Sequence, residues 1–247
     1  MENIAIELKN INLNIGNNFS MENLSLNLRK GYITGLIGRN GSGKTTLIKV
    51  ISDCIDRISG SVLYDGLNFW DNEVEVKRKI SVVYDRPNFS VKVKPINLVR
   101  GISSIEKRFD LDLFYNLMDR FELNSRKKVS TYSMGMQKKL MLILGICRKP
   151  EILILDEPTS GVDPISRNDM MKLLQEFMEN ENNSILFSTH ITSDLDRIAD
   201  YIVLIDQGRI LIDEEKEDLK IKYVGEGESL PEIETIMYKV VKEGIKA

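Results

Sequence analysis

Eight consecutive residues carry the clearest chemistry in this chain: Gly38, Arg39, Asn40, Gly41, Ser42, Gly43, Lys44 and Thr45 fit the pattern G-x-x-x-x-G-K-[ST]. Glycines let backbone N–H groups curl around phosphate oxygens with no Cβ in the way. A helix opening at Gly43-Lys44 adds the positive end of its dipole. Lys44 is then expected to reach the β- and γ-phosphates of a nucleotide, Thr45 to set its hydroxyl on Mg²⁺, and Thr46 to add a further phosphate contact. The four fixed positions arise by chance in about one chain in a hundred of this length. A Gly-rich turn with a solvated lysine explains neither the apolar run before the loop nor the helical pattern after it.

A second constellation lies more than a hundred residues on. The apolar run Ile152 to Leu155 ends on two carboxylates, Asp156 and Glu157. Magnesium wants oxygen ligands and keeps several waters, so Asp156 is expected to hold it through a water. Glu157 is placed to orient or deprotonate an attacking water. Pro158 fixes the turn, and Ser160-Gly161-Val162-Asp163 leads into the next helix. His190, the only histidine, follows the apolar run Ser184 to Phe187. If that run lies beside the acidic one, its imidazole meets the γ-phosphate and the water.

These groups must be positioned by a scaffold, and its elements are readable. Alternating apolar residues at Ile4, Ile6, Leu8 and at Leu24, Leu26, Leu28 predict half-buried antiparallel strands. Gly60 to Gly66, closing on Asp65-Gly66, predicts the edge of that sheet followed by a turn. Ile33 to Ile37, Ile152 to Leu155 and Ser184 to Phe187 are short apolar runs, as fully buried parallel strands are. A second helix opens at Pro164 with Asp163 as its cap. Lys94 to Arg148 holds no strand pattern and shows helical spacing at Leu111, Leu113, Leu117 and Phe121, a helical lobe inserted in the α/β lobe. The tail gives a hairpin strand from Arg209 to Ile212, a charged helix and an amphipathic segment from Pro231, with no chemistry assigned.

Composition bounds the rest. The 247 residues are 42% hydrophobic and 29% charged, with 34 Lys plus Arg against 37 Asp plus Glu. Such a chain buries a large core and is neither disordered nor collagen-like. Its slight acidity argues against a nucleic-acid partner. The longest apolar stretch, Leu140 to Cys147, is too short to span a membrane, and Met1 to Asn10 lacks the pattern of a secretory signal. Cys54 and Cys147 lack metal-ligand spacing and read as small buried apolar residues, which suits a reducing cytoplasm.

Taken together, the motifs resemble the ATP-binding subunit of ATP-binding-cassette (ABC) transporters over nearly the whole chain, Asn3 to about Val224. The order of motifs carries the resemblance. In that family the phosphate loop and the acidic strand flank a helical lobe bearing a Leu-Ser-Gly-Gly-Gln signature. Here the matching stretch is Tyr132-Ser133-Met134-Gly135-Met136, followed by Gln137-Lys138-Lys139-Leu140. It looks like the Tyr-Ser-x-Gly-Met form of ABC-2 type exporters. The resemblance implies an α/β fold: a P-loop NTPase core of mostly parallel sheet with helices, an antiparallel β-subdomain and an inserted helical subdomain at about 88–148. The cassette would span 1–224, with 225–247 a short extension.

The same resemblance implies ATP and Mg²⁺ as cofactors. It also implies a second cassette chain, identical or not, whose Ser133, Gly135 and Met136 face the γ-phosphate across the dimer. Glu157 carries over as catalytic carboxylate, His190 as switch histidine, and Ser160, Gly161 and Asp163 as the loop that crosses to the partner. An integral membrane permease would hold the chain at the inner face of the membrane and export a substrate. The rival is a soluble cassette serving an assembly machine such as iron–sulfur cluster biogenesis. Two positions depart from the family. Its magnesium-contacting glutamine aligns with Asp85, expected here at the metal site, and its adenine-stacking aromatic falls on Ile15, with Phe19 the nearest aromatic.

Overall fold

The computed structural model of the chain describes residues 3–16, 19–52, 55, 58–69, 71–225 and 229–243. Two sheets form its frame. The first is antiparallel, in the order β2-β1-β4-β5, built from β1 (Ile4–Ile15), β2 (Phe19–Arg29), β4 (Ser59–Tyr64) and β5 (Leu67–Asn68). Its alternation is the expected one from Ile6 on: Ile6, Leu8, Leu24, Leu26 and Leu28 are buried and most of the residues between them are not, whereas at a register shift Ile4 is half-buried and Ala5 buried. β4 is not the edge that the sequence suggests. Asp65 and Gly66 both take positive φ, 48° and 78°, the geometry of a type I′ turn. That turn folds the two-residue β5 back along β4 and covers it.

The second sheet has the order β10-β9-β3-β8-β7-β6. β3 (Ile33–Ile37), β6 (Ile80–Val83), β7 (Ile152–Asp156), β8 (Ser184–Thr189) and β9 (Tyr201–Asp206) run parallel, and β10 (Arg209–Glu215) closes one edge antiparallel. Every residue of β3, β7 and β8 is buried, as strands covered on both faces must be. β6 and β9 are strands that the sequence pattern does not separate from their surroundings.

Alternate side chains of this sheet belong to different cores. Ile33, Ile37, Leu153, Leu155, Ile185 and Phe187 face the helices. Leu36, Ile152, Ile154, Leu186, Val203 and Ile205 face α1 (Lys44–Ile51), α2 (Glu73–Lys79) and the antiparallel sheet.

The helical lobe is inserted between two hydrogen-bonded neighbours, β6 and β7. It contains α3 (Pro95–Ile105), α4 (Leu111–Arg120), a 3₁₀ turn at Val129–Thr131 and α5 (Met134–Cys147). Of the predicted apolar positions Leu117 and Phe121 are buried and Leu113 packs half-buried on the core, while Leu111 is exposed; Phe114 and Met118 of α4 widen the buried face. α5 presses directly on β6: a Cβ on Gly145 would come 2.7 Å from Val83 Cγ2. After β7 come α6 (Pro164–Phe177) and α7 (Thr192–Ile198). α8 (Lys216–Tyr223) and α9 (Ile233–Glu243) follow β10. α9 buries Ile233, Ile236 and Val240 in the helix-side core and packs on α7. Cys147 is a buried free thiol whose pKa burial pushes up to about 12; Cys54 lies outside the described residues.

Candidate nucleotide-binding and hydrolytic site

The phosphate loop leaves the C-terminal end of β3 and runs into α1, as its sequence requires. Gly41 and Gly43 take φ of +82° and +114°, a region that residues with a Cβ avoid. Gly38 is a glycine for another reason. A Cβ there would lie 2.3 Å from the Ile205 carbonyl oxygen and 2.5 Å from Ser42 Oγ. Ser42 Oγ is buried with no hydrogen-bond partner among the described residues, an unsatisfied group that a phosphate oxygen would satisfy.

Lys44 is 6% exposed, and its Nζ donates to the carbonyls of Gly38 (2.7 Å) and Arg39 (3.4 Å). Burial lowers its pKa, and the charges of Glu157 and Asp156 offset part of that shift. The loop is thus already folded over its own lysine. Phosphate oxygens would replace the two carbonyls as partners.

Across the loop stands the end of β7. Thr45 Oγ1 donates to Asp156 Oδ2 at 3.0 Å, and Ser188 Oγ, from the adjacent β8, donates to Asp156 Oδ1 at 3.2 Å. Burial raises the Asp156 pKa, the hydrogen bonds from Thr45 and Ser188 oppose the rise, and the charge of Asp85 adds to it. A buried carboxylate beside a hydroxyl is a pair of hard oxygen donors. Both fit a magnesium ion that also takes phosphate oxygens and waters.

Glu157 follows with φ +50°. Its N–H donates to the Ser188 carbonyl at 3.0 Å. His190 Nδ1 lies 2.6 Å from Oε2, and Lys44 Nζ lies 3.8 Å from Oε1. A carboxylate partner fixes the imidazole proton on Nδ1 and leaves Nε2 free. β7 and β8 are hydrogen-bonded neighbours, which is why two residues so far apart in sequence meet.

A cavity of about 280 Å³ joins these parts, lined by Arg39, Asn40, Gly41, Gly43, Lys44, Thr45, Thr46, Glu157 and Phe19. Phe19 packs over the loop, where a Cβ on Gly43 would come 2.7 Å from its Cζ. Ile15 is its cross-strand partner and is 45% exposed. Of the two, Phe19 is the one in contact with the phosphate loop.

Other predicted residues gather elsewhere. Ser133 caps α5, its Oγ accepting from the Met136 N–H at 3.2 Å. Asp163 caps α6 through the Ser166 N–H. Gly135 lies beside Val162 and Asp163, and a Cβ on Gly161 (φ +70°) would meet Met134 Sδ at 2.8 Å. The signature stretch and the Ser160–Asp163 loop therefore form one patch, which reaches Glu157 through the Ser160 N–H. Asp85 has a partner that the sequence does not announce: its Oδ1 accepts from Lys138 Nζ at 2.8 Å. Lys138 and Ser188 are site residues that sequence reasoning misses. For Lys138 a signal exists, since it shares a helix face with Met141 and Gly145, residues of an otherwise apolar packing surface.

Comparison with known proteins gives the family and the fold. The family described as "ABC transporter" matches residues 21–160. The ABC transporter ATP-binding protein YtrB of Bacillus subtilis is 32% identical over 89% of this chain and 75% of its own length. The bacitracin transport ATP-binding protein BcrA of Bacillus licheniformis is 32% identical over 79% of this chain and 65% of its own. A solved structure of an ATP-binding subunit of an ABC transporter superposes with a TM-score of 0.85 at 21% identity, covering 96% of this chain and all of that one. With more than half its length matched by the family and a relative this similar over most of both sequences, the chain belongs to the ABC transporter family, among its ATP-binding subunits.

Proposed function

We propose that this ATP-hydrolysing cassette closes with a second cassette around two nucleotides and drives export through a separate membrane-spanning partner. The observation that carries the reading is the convergence of Lys44, Thr45 and Glu157 on one cavity, with Asp156 bonded to Thr45 and His190 to Glu157 behind them. Export is supported by relatives named for bacitracin transport and by SrtF of Streptococcus pyogenes, a lantibiotic transport ATP-binding protein 28% identical over 85% of this chain and 90% of its own. Among the described residues no helix is long and apolar enough to cross a membrane, and the reading assigns the translocation path to the partner.

The residues divide the work. The Gly38–Thr45 backbone, Ser42 and Lys44 bind the phosphates; Phe19 packs against the base. Glu157 takes a proton from the attacking water, and His190 holds the carboxylate oriented for it. Thr45 and Asp156 would hold Mg²⁺, which supplies charge neutralisation on the phosphoryl group. Ser133 and Gly135, at the start of α5, meet the γ-phosphate bound to the other chain, with Ser160 to Asp163 beside them. Most of the catalysis is positioning and charge stabilisation. The cleft between β6 and the helical lobe, lined by Tyr84, Phe89, Ile102, Ile105 and Met141, is the apolar surface that receives the membrane partner.

Two measurements test this. Glu157→Gln is expected to keep ATP binding, lose nearly all hydrolysis and accumulate as a dimer by light scattering with ATP and Mg²⁺; unchanged turnover refutes the Glu157 role. The tagged Glu157→Gln chain, purified from detergent-solubilised native cells, is expected to retain a multi-spanning membrane protein. Recovery of soluble proteins alone would give the soluble assembly machine first place.

A further inference from the structure

Lys138 sits in an unfavourable place for a cation. It is in the second turn of α5, near the positive end of the helix dipole, and only 4% of it is exposed. An ammonium buried there loses its hydration and must find its partners within the protein. Two oxygens supply them: Asp85 Oδ1 at 2.8 Å and the Glu157 carbonyl at 2.6 Å. These belong to the segment that enters the helical lobe and to the end of the acidic strand.

The second contact completes the fixation of Glu157. Its N–H is held by the Ser188 carbonyl, one carboxylate oxygen by His190, and the other faces Lys44. Its backbone is in the left-handed region, φ +50°, which residues with a Cβ seldom adopt and which neighbours must therefore hold in place. The Glu157 carbonyl accepts from the Ser160 N–H at 3.3 Å as well as from Lys138. Of all these contacts, only the one from Lys138 comes from the helical lobe; the rest come from the α/β core. A displacement of α5 against β6 and β7 would therefore move the peptide of Glu157 directly.

We infer that Lys138 is a positioning residue for ATP hydrolysis, a buried ammonium that bridges Asp85 and the Glu157 carbonyl and so makes the angle of the catalytic carboxylate depend on the seating of the helical lobe. The inference rests on the reading of Glu157 given above. It gives Asp85 a structural role: Asp85 balances the Lys138 charge from a half-exposed position. It also explains why an acidic residue stands at the junction. An uncharged side chain there would leave the ammonium with neutral partners alone.

The test uses the whole chain, its steady-state ATPase rate, and titration with a non-hydrolysable ATP analogue. Lys138→Met removes both contacts and the buried charge. It is expected to lower kcat by about 10- to 100-fold, the scale of a misplaced catalytic group, with KM and analogue affinity within about threefold of the parent. Asp85→Gln combined with Lys138→Gln restores a neutral hydrogen-bonded bridge, since the amide introduced by Lys138→Gln has two donors, and is expected to recover most of kcat. A Lys138→Met chain with unaltered kcat overturns the inference. So does a loss of kcat matched by an equal loss of analogue affinity, or a double variant no faster than Lys138→Gln alone. That last comparison stands even if Lys138→Met does not fold. Glu157→Gln, assayed alongside, separates the two ideas: if it still turns over, the Glu157 reading fails, and if it is inactive while Lys138→Met is normal, only the positioning role fails.

Discussion

Gly38 and Gly41 stand three residues apart in one loop, yet the structure assigns them opposite reasons for being glycine, and alanine at each position separates the two. A methyl on Gly38 would come 2.3 Å from the Ile205 carbonyl oxygen and 2.5 Å from Ser42 Oγ. Backbone cannot swing aside, so the cost belongs near the top of the overpacking range, about 3 kcal/mol. A methyl on Gly41 meets nothing within 4 Å. Its cost is the φ of +82° alone, about 1 kcal/mol. For a chain of this size each kcal/mol moves the melting temperature by roughly 2–4 °C. Calorimetry should then show a fall of about 6–12 °C for Gly38→Ala and about 2–4 °C for Gly41→Ala. Gly38 also supplies the carbonyl that Lys44 Nζ contacts at 2.7 Å, so fluorescent-nucleotide titration should show at least about a tenfold loss of affinity, roughly 1.4 kcal/mol. Gly41→Ala should lose much less. A Gly38→Ala chain that melts and binds like the parent, or a Gly41→Ala chain that suffers more, would refute the steric argument.

Other outcomes follow from the same contacts. Phe19→Ala should weaken ATP by about 0.5–1.5 kcal/mol, a few-fold to about tenfold, through loss of ring packing, while Ile15→Ala leaves the nucleotide titration unchanged. Asp110 caps α4 through the Leu113 N–H and pairs with Lys149; the Leu113 hydrogen bond, foremost, holds its pKa below the usual carboxylate value. A depressed carboxylate stabilises above the unfolded pKa, near pH ~4, and the benefit fades as pH falls through the folded value. Asp110→Ala should therefore cost about 1 kcal/mol at neutral pH and progressively less in acid, as followed by urea melts. Cys147, with its thiol pushed up to about 12, should resist alkylation under mildly alkaline conditions until the chain unfolds, checked by peptide mapping.

The sequence carries the site best where one motif contains its own geometry. The phosphate loop, the buried strands β3, β7 and β8, and the capped start of α6 follow from residue type and spacing, because glycine, apolar runs and Asp-Pro have local meanings. The meeting of Glu157 with His190 is legible at one remove, through two apolar runs that have to be neighbours. What stays hidden is set by three-dimensional partners. β6 and β9 are masked by the charged or aromatic residues that flank them, and β4 looks like an edge because the two residues that cover it are too few to form a pattern. Lys138 is one of two adjacent lysines; its place on the apolar face with Met141 and Gly145 hints that it turns inward, but its partners Asp85 and Glu157 come from distant segments. Phe19, four residues beyond Ile15 and paired across the strands with it, packs on the phosphate loop, a contact that the position of Ile15 in the sequence does not disclose.

The division of alternate side chains between two cores makes the parallel sheet a party wall. Leu153 and Leu155 answer to the helical side, Ile152 and Ile154 to the side of the antiparallel sheet, and the loops that carry Lys44, Glu157 and His190 hang from its top edge. Softening either compartment, by truncating side chains of one parity, leaves the wall braced from the other. In hydrogen exchange the amides of α4 and those of β1 should then open as separate units, while those of β3, β7 and β8 exchange only with the whole molecule. The strand that ends at Glu157 is braced from both compartments, and the Lys138 contact to its carbonyl is the one thread by which the helical side alone can pull on it.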